Sequence, residues 1–249
     1  MSEPSPALLL VAALGFFAGG LVKGITGMGL PLVAVPVVAL VLDVRAVLPL
    51  MTASVVLSNV WQIVEAGNIR AAGTRFWSIA VAIVGGTWLG VALISVADPR
   101  LLEGILGAVV ILFVAASLLR WAPSVPKRAE AWLNPLVGTV TGAVGGLTSI
   151  FSPPLAIYLL ALRIGREEFI AVMGLTMLAG SVTFTLALSG YGFLGGEELV
   201  GSLLALLPAS AGLALGGWVR RRISVALFQR IVMLLLLVIG LKHLVGVLS

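Results

Sequence analysis

Apolar residues in this chain run in long unbroken stretches, with neither the alternation of a half-buried strand nor the one-sided stripe of a surface helix. Ten such stretches can be read, at about 6–22, 30–42, 46–64, 76–97, 101–119, 132–147, 154–162, 169–188, 199–219 and 225–248. A membrane-spanning helix needs about 20 residues. The third, fourth, fifth, eighth, ninth and tenth stretches reach that length, whereas 30–42 and 154–162 are too short to cross alone. Each short stretch follows a glycine- and proline-rich interruption. The first is Lys23-Gly24-Ile25-Thr26-Gly27-Met28-Gly29-Leu30-Pro31, continued by Val35-Pro36; the second is Gly145-Gly146-Leu147-Thr148-Ser149-Ile150-Phe151-Ser152-Pro153-Pro154. Non-helical backbone at bilayer depth is tolerated only where protein buries it or it lines a cavity. The pattern therefore predicts re-entrant or broken helices over 6–42 and 132–162. Paired breaks in two halves of a chain point to a transporter's binding site, although two Gly/Pro loops at a membrane surface would leave the same trace.

Composition narrows the class. Of 249 residues 60% are hydrophobic and only 10% charged, and the mean hydropathy is +1.20, against about 25% charged residues in a soluble domain. The expected fold is an all-α polytopic membrane protein. A net charge of +5 does not indicate nucleic acid here, because the basic residues lie in short clusters between apolar runs, where they act as orientation signals. There is no cysteine, which excludes disulfides and thiolate chemistry. The first residues, Met1-Ser2-Glu3-Pro4-Ser5-Pro6, lack the basic start of a cleaved signal peptide, so the first apolar run is expected to remain as a membrane segment.

Counting Lys and Arg on alternate sides gives the orientation. Lys23, Arg70, Arg75, Arg120, Lys127, Arg128, Arg163, Arg166, Arg220, Arg221, Arg222 and Arg230, 12 of the 15, fall on one side, and Arg45, Arg100 and Lys242 on the other. That asymmetry makes the first side cytoplasmic, with both termini outside a bacterial-type inner membrane. Trp77, Trp121, Trp132 and Trp218 stand near segment ends, as an interfacial belt requires; Trp61 and Trp88 do not, and read as packing residues.

Shifting the chain by 123 residues aligns Gly15 with Gly138, Gly19 with Gly142, Pro31 with Pro154 and Ser58 with Ser181; at three residues more, Gly86-x3-Gly90 meets Gly212-x3-Gly216. The chain thus reads as a duplicated five-segment unit, with a first membrane repeat at 1–120, a cytoplasmic linker at 121–131 and a second repeat at 132–249. Each unit makes an odd number of crossings, so the repeat is expected to be inverted, an architecture suited to alternating access.

Gly15-x3-Gly19-x4-Gly24-x2-Gly27-x-Gly29-x-Pro31, the later Glu65-Ala66-Gly67-Asn68-Ile69, and Gly138-x3-Gly142 leading to Pro153-Pro154 resemble the TauE/SafE family of sulfite and organosulfonate exporters. The resemblance extends over nearly the whole chain. It implies a small sulfur-containing anion as substrate, such as sulfite, sulfoacetate or a related organosulfonate. At the 123-residue offset the second half departs from the pattern, with Leu147 opposite Gly24 and Ile150 opposite Gly27.

The residue types at the breaks suit such an anion. Helix N-termini offer N–H donors and about half a positive charge, and Gly24, Gly27 and Gly29 would let the backbone come close to a ligand. Lys23 is the candidate countercharge, since intramembrane ions are functional by default; it also fits a lysine snorkelling to the interface. Thr26, Thr148, Ser149 and Ser152 are candidate hydroxyl donors or, equally, helix caps. Asn59 and Gln62 line a polar face of the third segment, suited to a site or to helix–helix bonding, and Tyr158 carries a hydroxyl among apolar neighbours. The Gly86-x3-Gly90 and Gly212-x3-Gly216 patterns are read as packing, and His243 as an interfacial histidine. No cofactor, metal site or catalytic acid/base pair is expected, and no enzyme: the single histidine and the scattered carboxylates assemble none. The expected partners are a small anion, the bilayer and a coupling proton or sodium ion. The expected activity is secondary transport, with an anion-selective channel or a carrier of another small anion as the alternatives.

Overall fold

A computed structural model describes residues 5–66, 69–118 and 124–248. Met1–Pro4, the Gly67-Asn68 pair, and residues 119–123 with Arg120 and Trp121 lie outside the described residues. Everything described is helix, turn or short connection: α1 Pro6–Thr26, α2 Leu30–Val38, α3 Val44–Leu50, α4 Thr52–Ala66, α5 Ile69–Val96, α6 Pro99–Leu118, a 3-10 turn at Lys127–Ala129, α7 Glu130–Thr148, α8 Ser152–Ala161, α9 Arg166–Gly190, α10 Gly196–Val219 and α11 Val225–Leu248. Six helices among the described residues are long and apolar enough to cross a membrane, and a seventh span arises if α3 and α4 are counted together.

Two boundaries differ from the expectation. The first helix does not stop before Lys23; it runs on through Thr26, so Lys23 and Gly24 belong to its last turn and the interruption is confined to Gly27-Met28-Gly29. The third segment is not one straight helix but α3 and α4, bent by 44° at Met51. Pro49 supplies the reason, because its missing N–H removes a helical bond. The exposed groups are then satisfied locally: Thr52 Oγ1 donates to the Pro49 carbonyl (2.8 Å), and Ser202 Oγ accepts the Ala53 N–H (2.8 Å) while bonding the Thr52 hydroxyl (2.9 Å).

The short helices fold back. Gly15 lies against Val37 and Val38, and Gly19 against Leu30 and Ala34, so α2 returns antiparallel along α1. Likewise Phe151 lies on Gly145 and Tyr158 reaches Asn134, which sets α8 antiparallel to α7. Both are helical hairpins. At 1.5 Å per residue, the 9 and 10 residues of α2 and α8 extend only about 13–15 Å.

The chain packs as two compact units, one made of Met1–Ser54, Ala97–Val114 and Phe193–Ser249, the other of Val55–Val96 and Ala115–Gly192. The sequence repeat and the compact units divide the chain differently. In the first unit α1 packs on α10, from the far end of the sequence; in the second α7 packs on α5. Glycines set both crossings. A Cβ on Gly24 would be driven into the Leu213 carbonyl and lie 2.9 Å from the Gly216 Cα, and a Cβ on Gly90 would meet the Ala143 carbonyl and lie 2.9 Å from the Gly146 Cα. Close backbone approach of this kind gives membrane helices the dispersion contacts that replace the hydrophobic effect. Of the two tryptophans read as packing residues, Trp88 sits 6.2 Å from the Tyr191 ring, whereas Trp61 is 61% exposed and lies on the surface of α4.

Gly24→Val and Gly90→Val are expected to lower the unfolding free energy by about 1–3 kcal/mol each, the usual cost of overpacking. Gly217→Val and Gly85→Val, where an added Cβ meets nothing within 4 Å, are expected to change it little. Thermal unfolding in detergent compares the four.

Candidate functional site

The two interruptions are built alike. In the first, Gly27 is left-handed (φ 84°) and its N–H donates to the Lys23 carbonyl at 2.7 Å. In the second, Ser149 is left-handed (φ 63°) and its N–H donates to the Gly145 carbonyl at 2.6 Å. A threonine precedes each. Thr26 Oγ1 lies 2.8 Å from the Val22 carbonyl and 2.7 Å from that of Met28, and accepts the Met28 N–H at 3.3 Å. Thr148 Oγ1 donates to the Val144 carbonyl at 2.7 Å and accepts the Ile150 N–H at 3.1 Å. These equivalent positions are 122 residues apart, one fewer than the offset that best matches the flanking glycines and prolines. At that spacing Gly24 pairs with Gly146 and Gly27 with Ser149, so the departures expected at Leu147 and Ile150 disappear.

The breaks differ in what they hold. At the first, Lys23 is buried at 7% exposure on the last turn of α1, where a cation also complements the helix C-terminus. Gly27 is exposed with open space around it, and Gly29 is left-handed too (φ 100°); both conformations are ones that glycine adopts without penalty. At the second, the position of Lys23 is taken by Gly145 and that of Gly29 by Phe151, whose ring lies directly on Gly145. The same ring sits 2.9 Å from a Cβ built on Gly180 and meets Phe184 edge-on, centroids 6.3 Å apart.

Helix N-termini supply fewer donors than expected. In α2 Pro31 removes one of the first three amides, and in α8 Pro153 and Pro154 remove two, because proline has no N–H. Ser149, like Ser54 and Thr141, has a buried hydroxyl oxygen with no hydrogen-bond partner, a state that costs about 1–3 kcal/mol; of the three it alone lies at a break.

The remaining candidates are placed as follows. Gly24 faces α10 and is a packing glycine. Thr26 and Thr148 direct their protons to helix carbonyls, so in this conformation they close the breaks and do not donate outward. Asn59 is buried on α4 and donates to the Met177 carbonyl (3.1 Å) and Ser181 Oγ (3.2 Å), tying α4 to α9. Gln62, one turn beyond Ser58, is half-buried. Ser152 opens α8 and is 8% exposed. Tyr158 donates to Asn134 Oδ1 at 2.5 Å and so joins the two arms of the second hairpin. The structure thus groups Lys23, Gly27 and Gly29 at one break and Thr148, Ser149 and Ser152 at the other. His243, expected at an interface, is instead buried at 5% exposure with Nε2 3.0 Å from the Pro36 carbonyl.

One polar cluster escaped the sequence reading. Arg75, counted there only as an orientation signal, bonds Glu130 (2.7 and 3.1 Å) and Glu168 (2.8 Å), joining α5 to the first turns of α7 and α9. The signal was there in the composition: acidic residues number only 10, and Glu130 stands alone between Glu103 and Glu167.

A family model described as "Sulfite exporter TauE/SafE" matches residues 11–243. Neither the curated proteins nor the solved structures compared contain a match to this chain.

Ser149→Gly is expected to raise the unfolding free energy by about 1 kcal/mol, because it relieves the left-handed strain and deletes the unpaired hydroxyl. Chemical denaturation in detergent measures it, and a destabilised variant would show that Ser149 serves the fold.

Proposed function

The chain belongs to the sulfite exporter TauE/SafE family, a family of membrane transporters, and from that premise we propose that it moves a small sulfur-containing anion, sulfite or a related organosulfonate, by alternating access. The observation that carries the reading is the buried Lys23 beside a break whose Gly27 and Gly29 are left-handed and whose Gly27 is exposed with open space around it. A sulfite or sulfonate group presents two or three charged oxygens. The Lys23 ammonium supplies charge-assisted donors, and α2 starts at Leu30, directly after the break. Gly27 leaves room for the ligand, and Gly29 lets the chain turn into α2. Ser149, with an unused hydroxyl, is the donor that the other break offers, and Thr26, Thr148 and Gly24 shape the breaks without touching the anion. Asn59, Gln62, Ser152 and Tyr158 support the surrounding helices.

The arrangement belongs to an inner membrane with both termini outside, on the 12-to-3 division of basic residues. Two oppositely oriented repeats give alternating access its usual architecture. A membrane potential contributes about 2.3 kcal/mol per charge per 100 mV. Inside-negative, it favours anion export without a coupled ion; uptake would require a co-transported proton or sodium ion.

The test is uptake of labelled sulfite, sulfoacetate and isethionate into proteoliposomes under an imposed potential. Saturable flux is expected for wild type. Lys23→Ala is expected to raise the half-saturating concentration about tenfold or more, as loss of a charged hydrogen bond of about 1.5–3 kcal/mol requires. Flux unaltered by Lys23→Ala would remove the anion from the first break, and no flux of any of the three would remove the substrate class.

A further inference from the structure

The two breaks share a backbone but exchange their side chains, and the exchange assigns a role to Phe151. Where the first break has Lys23 and Gly29, the second has Gly145 and Phe151, fixed as equivalents by the N–H bonds of Gly27 and Ser149 to the carbonyls of Lys23 and Gly145. The first break is therefore charged and open. The second is capped by an aromatic ring resting on Gly145 and Gly180 and braced against Phe184. Two residues before that ring lies Ser149, wholly buried, with a hydroxyl that no protein group satisfies. A donor held without a partner at the left-handed C-cap of α7, inside the break, points to a ligand that is present only part of the time. Pro153 and Pro154 strip the start of α8 of two N–H groups, which leaves fewer backbone donors beside that hydroxyl.

We propose that Phe151 is the gating and size-selecting side chain of the second break: its ring, seated on Gly145 and Gly180 two residues beyond the buried Ser149, must leave that seat before an anion's oxygen can accept the Ser149 proton. Neither neighbouring glycine tolerates a side chain while the ring is in place, so the seat is a fitted one. The proposal rests on the anion-transport reading for the identity of the ligand, but the cover itself can be tested without transport.

The chain contains no cysteine, so single cysteines report cleanly. Ser149→Cys and Met28→Cys would be exposed to the anionic reagent 2-sulfonatoethyl methanethiosulfonate in membranes. Met28→Cys, at the open break, is expected to react, and Ser149→Cys to be protected. Adding Phe151→Leu to Ser149→Cys is expected to raise its labelling rate about tenfold or more, as opening of a local contact does. Gly145→Ala, which forces the ring off its seat by steric contact alone, is expected to do the same and serves if the Phe151 variant fails to fold. Ser149→Cys that reacts as fast as Met28→Cys with Phe151 intact, or that stays protected with both Phe151→Leu and Gly145→Ala, would overturn the proposal. In flux, Phe151→Leu is expected to increase isethionate transport relative to sulfite. Labelling that follows the ring in a protein that moves no sulfur anion would keep the gate and reject the substrate.

Discussion

Every backbone polar group at a helix break inside a bilayer must find its partner within the protein, and the rest of this structure follows from how two breaks meet that demand. Each uses one left-handed residue whose N–H returns to a carbonyl four residues back, and one threonine that serves a helix carbonyl and a following amide together. With both ends closed, α2 and α8 turn back along α1 and α7. The hairpins present left-handed backbone, small side chains and a helix start where a continuous helix would present only side chains.

Closing the breaks is one half of the problem; holding the hairpins is the other. In each unit a glycine pair on the long arm meets a glycine pair on a helix remote in sequence, α10 in one unit and α5 in the other. At these crossings backbone touches backbone, so rigidity comes from shape. The hairpin arms are further pinned by polar contacts at their far ends, His243 to Pro36 in one and Tyr158 to Asn134 in the other. The Arg75 cluster with Glu130 and Glu168 binds the starts of three helices in the second unit.

Equal backbones carrying unequal side chains suit a transporter of a small anion. With Gly145 and Phe151 at the second break in place of Lys23 and Gly29, one break carries a cation and the other an aromatic ring packed on glycine, two residues from an unpaired hydroxyl.

The all-helical membrane class, the positions of both interruptions, the short returning helices and the family were legible in the sequence, because hydropathy, proline and glycine act locally along the chain. The same local signals showed that Lys23 was unusual, since a cation in an apolar run is costly wherever the run ends up. What each glycine does was not legible: Gly24 and Gly27 look alike in a motif, yet one is pressed against Leu213 and Gly216 and the other is an open left-handed turn. The bonds of Asn59 and Tyr158, the unpaired hydroxyl of Ser149 and the seat of Phe151 depend on which helices become neighbours. So does the pairing of Arg75 with carboxylates 55 and 93 residues away. Neighbour choice is set by shape complementarity between whole helix faces, a long-range property, and only the tertiary structure decided it.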